Sequence, residues 1–121
     1  MTRQLKSGVG WRLGWDEEAI AFQGLVGGDE WAIELTAAEL EDFCRLAAQL
    51  AATLQQMSLE LMDQERISCE VESELIWLEA EGYPHDYGLR LIVLTGRRGE
   101  GFWNASAVSE LLQAAQILKV F

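Results

Sequence analysis

The chain has 121 residues, half of them apolar, with 20 Asp and Glu against 9 Lys and Arg and a net charge of −11. A chain of this length buries about two-thirds of its unfolded surface, so residues 1–121 are expected to form one domain. The composition excludes a disordered tail, a collagen-like chain and a disulfide mini-scaffold, and the acidic balance argues against a general nucleic-acid or anionic-membrane binder.

The first 35 residues read as strands. Trp11, Leu13 and Trp15 alternate with Arg12, Gly14 and Asp16, the period of a half-buried strand. Ile20, Phe22 and Gly24 alternate with Ala21 and Gln23, and Gly27, Gly28 and Asp29 then supply a hairpin turn. Trp31, Ile33 and Leu35 complete a three-stranded meander. Thr36 followed three residues later by Glu39 has the spacing of a capping box, with Leu35 and Leu40 placed as a hydrophobic staple. From Leu40 through Phe43, Cys44, Ala47, Leu50, Leu54 and Met57 to Leu61, apolar residues recur at three and four, predicting a helix about 39 Å long. That exceeds a compact domain of this size, so either the helix overhangs its own sheet or a partner covers part of it.

The period returns to two at Ile67, Cys69 and Val71, with Ser68, Glu70 and Glu72 on the other face. Residues 75–78 and 89–94 are apolar on both faces and are separated by a turn at Gly82, Tyr83, Pro84, His85 and Asp86. A loop from Gly96 to Gly101 leads to Asn104, a candidate cap, and Val108, Leu111, Leu112, Ala115 and Leu118 mark a second helix. The fold class is therefore α+β: an antiparallel sheet with two helices in βββα-βββα order. The two-sided strands and the over-long helix point to an interface, for which a two-fold homodimer is the commonest solution.

Four segments carry a resemblance: Gly10-Trp11-Arg12-Leu13, Gly27 to Thr36 (GGDEWAIELT), Gln64 to Glu70 (QERISCE) and Glu100-Gly101-Phe102-Trp103. Together they resemble a small cyanobacterial family of unknown function, over nearly the whole chain. That family is similar in fold to the single-stranded-DNA-binding transcriptional regulators, which include the plant Whirly proteins and the positive-cofactor-four domain. The resemblance implies strands curving around long helices, often with helix-mediated dimerisation. Its motifs are tryptophan and glycine positions, so no catalytic residues carry over, and the chain has no lysine-rich strand motif of the Whirly kind.

The candidate contacts for a ligand or nucleic acid are Arg97, Arg98, Trp103 and Arg12. Guanidinium forks bind oxyanions bidentately, and the flanking Gly96 and Gly99 let a ligand approach the backbone. The competing reading is a solvated turn closing onto acidic neighbours. Trp11, Trp15, Trp31 and Trp77 fall on alternating apolar faces and read as core, whereas Trp103, after the arginine loop, stands apart as a base-stacking candidate. Residues 16–42 hold nine acids and no Lys or Arg, and residues 60–86 hold nine acids against only Arg66, which suits electrostatic choice of a basic partner or simple solubility.

His85 beside Asp86 lies in a proline turn without a nucleophile, and Cys44, Cys69 and His85 lack metal-ligand spacing. No cofactor is expected, because glycine motifs for nucleotides are absent. The cysteines suit reduced, buried thiols. No leader follows Arg3 and Lys6, and no run reaches eighteen apolar residues. The expectation is a cytoplasmic, non-enzymatic interaction module that forms a homodimer, binds a protein partner and stays off membranes. The alternative is a single-stranded nucleic-acid-binding regulatory protein.

Overall fold

The computed structural model describes residues 3–118. Four strands, β1 (Arg3–Gly8), β2 (Trp11–Asp16), β3 (Gly24–Gly27) and β4 (Ala32–Leu35), precede helix α1 (Ala37–Ser58). Four more, β5 (Ile67–Glu72), β6 (Ile76–Tyr83), β7 (Asp86–Val93) and β8 (Glu100–Trp103), precede helix α2 (Ala105–Ile117). Each set forms its own antiparallel sheet with neighbours in chain order.

The α+β class stands, but two four-stranded sheets in ββββα-ββββα order replace the expected single sheet in βββα-βββα order. Two strands escape the apolar pattern for different reasons. β1 is an edge strand that places Gln4 and Lys6 beside Trp15 and Leu13 and leaves Leu5 exposed, so its polarity does not alternate as a half-buried strand should. β8 reads as a glycine loop because the Trp31 ring lies against Gly101, where a Cβ would collide with it. The strand expected at residues 20–24 sits instead at Gly24–Gly27, so Ile20 is fully exposed in the loop before it.

Helix α1 starts as its sequence dictates. The Thr36 hydroxyl accepts the Glu39 N–H at 3.2 Å, and the Glu39 carboxylate accepts the Thr36 N–H at 2.9 Å. The helix ends at Ser58, before Leu61, and spans about 33 Å. Its stripe from Leu40 to Leu54 is buried within the chain, because α1 packs on β3 and β4 of the first sheet and on β5 and β6 of the second. Helix α2 likewise touches β1 and β2 on one side and β7 on the other.

One core therefore joins both sheets, and the apolar stripe of α1 is covered by the chain's own strands. Trp103, 1% exposed, sits in this core with ring centroids 4.9 Å from Trp31 and 5.9 Å from Phe43, both tilted. Such pairs contribute about 0.5–1.5 kcal/mol each beyond their buried area.

Candidate functional site

The four residues predicted to contact a ligand do not converge on one surface. Trp103 belongs to the core, not to a stacking platform: the alternation of β8 turns Gly101 and Trp103 inward and Glu100 and Phe102 outward. Its indole N–H donates to the Gly27 carbonyl at 2.8 Å. Arg12 approaches the same turn from the outer face of the first sheet, donating to the carbonyls of Gly28 at 3.1 Å and Trp31 at 2.9 Å.

Arg97 lies at the other end of β4. It donates to the Glu34 carbonyl at 2.8 Å, pairs with the buried Glu39 carboxylate and stacks on Phe22 at 4.7 Å. Thr95 completes the Glu39 site with a hydroxyl bond of 3.1 Å. Arg97 thus closes onto an acidic neighbour, while Arg98 is exposed with a left-handed φ of 53°. Nothing in the sequence distinguishes these two arginines; only the loop's path over α1 does.

The surface with the most chemistry is the outer face of the second sheet. Ile76, Leu78, Ala80, Leu89, Leu91 and Val93 point into the core, so the intervening residues face solvent. Register places Glu72, Trp77, Ile92 and Glu100 in one row, and Glu70, Glu79, Arg90 and Phe102 in the next. Glu81 follows beside Ser68 and Gly88. Five carboxylates and one guanidinium thus surround Trp77 and Ile92, which are half-buried, and Phe102, which is 48% exposed.

Two contacts give this face fixed features. The Trp77 indole donates to Glu70 at 3.1 Å, and the Phe102 ring covers Gly88 across the strand pair. Arg66 bridges to Glu81 at 3.2 Å on the margin and lies 5.5 Å from the Tyr83 ring. Residues 75–78 and 89–94 therefore divide between the two sides, one apolar set in the core and a smaller set in this acidic field. The sequence carries both the tryptophan and the glutamates, but the strand pairing that brings Phe102 to them leaves no apolar alternation in β8, where Gly101 takes an inward position.

Other reactive groups are quiet. Burial pushes the Cys44 thiol up to about 12, and burial followed by the Glu70 charge raises Cys69. Burial also raises the Tyr87 phenol. His85 lies 3.6 Å from Asp63, not on its sequence neighbour Asp86, and both are exposed. Among the described residues no group of three or more His, Cys, Asp or Glu could hold a metal ion, and no helix is long and apolar enough to cross a membrane.

Residues 6–118 match the model of one protein family, described as a domain of unknown function (DUF1818). The chain is also similar to a crystal structure of a protein of unknown function from the DUF155 family of the cyanobacterium Prochlorococcus sp. NATL2A. The two are 28% identical with a TM-score of 0.89, over 95% of this chain and 97% of that one. No curated protein matches.

Proposed function

We propose, on the premise that this chain belongs to the DUF1818 family, a domain of unknown function, that it is a non-enzymatic binding module of the cytoplasm. Its outer second-sheet face takes a basic protein partner. One observation carries this reading: Glu70, Glu72, Glu79, Glu81 and Glu100 stand around Trp77, Ile92 and Phe102 on a single solvent-facing surface. Aromatic and aliphatic centres supply the area that excludes water at an interface, and a predominantly acidic rim, five carboxylates against Arg90, selects a basic partner.

The resemblance to the Whirly-type regulators belongs to the same proposal, and its support is the α+β class with two halves that each run strands then helix. Single-stranded nucleic acid is the alternative ligand for that fold. It is disfavoured because Arg12 and Arg97 are engaged by the protein's own oxygens and the aromatic surface is acidic. The proposed homodimer uses another surface, since two copies of this face would appose like charges. Light scattering that stays at the monomer mass at high concentration removes that part of the proposal.

The test is titration with a Lys- and Arg-rich peptide and, separately, with short single-stranded DNA, followed by tryptophan fluorescence at two salt concentrations. The peptide is expected to bind, with affinity that falls as salt rises, and the DNA is not. Glu72→Lys with Glu79→Lys should weaken the peptide at least tenfold without altering the circular dichroism. Saturable DNA binding with no peptide binding would reverse the assignment.

A further inference from the structure

The turn between β3 and β4 is fastened more firmly than an exposed acidic turn requires. The Gly28 N–H donates to the Trp31 carbonyl at 2.9 Å, Arg12 grips the carbonyls of Gly28 and Trp31, and the buried Trp103 indole holds the Gly27 carbonyl. The Trp31 ring lies flush with the backbone of Gly101 and packs on Trp103. Arg12 and Trp103 thus spend directional donors on one short stretch of backbone from two sides. This arrangement holds Asp29 and Glu30 at the tip, both exposed and neither in an ion pair among the described residues.

Beside this turn a cavity of about 350 Å³ opens, lined by Asp29, Glu30, Trp31 and Phe102 and by Asn104 and Ser106 at the start of α2. Phe102 belongs both to this cavity and to the outer face of the second sheet. We infer that the cavity seats an arginine side chain of the basic partner. The aliphatic stem lies along Trp31 and Phe102, and the guanidinium meets Asp29 and Glu30.

Each part of such a ligand has a counterpart. Aromatic faces attract a guanidinium by stacking and by their quadrupole, and paired carboxylate oxygens match its fork of donors. The Asn104 side chain makes no capping bond, which leaves its amide and the Ser106 hydroxyl to the ligand's main chain. The partial positive charge of the α2 start favours a peptide carbonyl there rather than the cation, which orients the ligand across the cavity. Because donors from Arg12 and Trp103 fix the turn beforehand, little ordering is left for binding to impose.

This inference rests on the proposed reading, and the experiment separates the two. The full chain, labelled with 15N, is titrated with two peptides of equal charge, one carrying arginine and the other only lysine. The arginine peptide is expected to bind more tightly and to shift the Trp31 indole and the Gly28 to Trp31 amides. Asp29→Asn with Glu30→Gln should cost about tenfold in affinity for the arginine peptide and abolish its preference over lysine. Phe102→Leu, which keeps the face apolar, should reduce that preference too.

If the turn variant binds both peptides as the wild type does, while Glu72→Lys with Glu79→Lys loses them, the arginine site is wrong and the face reading survives. If neither peptide shifts any signal, both fall.

Discussion

Glu39 is the one buried charged residue among the described residues, and three donors from two parts of the chain satisfy it: the Thr36 amide before α1, and the Thr95 hydroxyl and Arg97 guanidinium of the loop before β8. Removing one partner of such a pair strands a charge away from water. Arg97→Ala should therefore destabilise the protein by about 3 kcal/mol, the lower end for a buried pair because the Arg97 side chain is itself 37% exposed. Chemical denaturation checks this, and Arg98→Ala, at an exposed side chain with no bonded partner among the described residues, should shift the midpoint little. Cys44 gives a pH signature. Its folded pKa, about 12, lies above the ordinary thiol value, so the unfolded chain loses this proton first. The stabilising contribution is complete below about pH 8.5 and declines as pH rises toward 12, and Cys44→Ala should flatten stability in that window. A steeper alkaline loss in the variant would contradict this. The candidate site at this scale was half legible: the arginines were visible, but their partners lie 63 and 58 residues away for Arg97 and 16 and 19 away for Arg12.

Among the elements, β8 shows how a glycine can serve packing while it erases the strand pattern. Gly101→Ala would drive a methyl into the Trp31 ring and should cost about 1–3 kcal/mol, with a change in tryptophan emission. Gly96 has nothing near its missing Cβ, so Gly96→Ala should be neutral or stabilise by up to about 1 kcal/mol. Equal losses from both substitutions would mean that glycine is needed for backbone freedom, not for the ring. Strand β1 failed to announce itself for another reason. Its inward residues are polar, and pairing with β2 and contact with α2 give it order. The helices were the clearest elements in the sequence, because capping and a long three-four period are local properties.

Across the molecule, the two ββββα halves share a core, since each helix contacts strands of both sheets and Arg97 ties the loop before β8 to α1. Unfolding should therefore be a single cooperative event, with the same midpoint by tryptophan fluorescence and by far-UV circular dichroism. Separated transitions would show that the halves fold independently. The charge distribution acts at this scale as well: no single glutamate on the second sheet is unusual, and the acidic face proposed for recognition exists only because antiparallel pairing gathers them around three apolar side chains.

The sequence by itself determined the α+β class, the acidic character, the capping-box start of α1 and the amphipathic helices, because each depends on neighbours within a few residues. The tertiary structure decided that there are two sheets, that the long helix is covered from within and that Trp103 is core while Phe102 is surface. It also decided that Arg12 and Arg97 serve backbone carbonyls and Glu39. These outcomes turn on which strands pair and where a loop crosses a helix, and such contacts between distant residues leave no periodic trace along the chain.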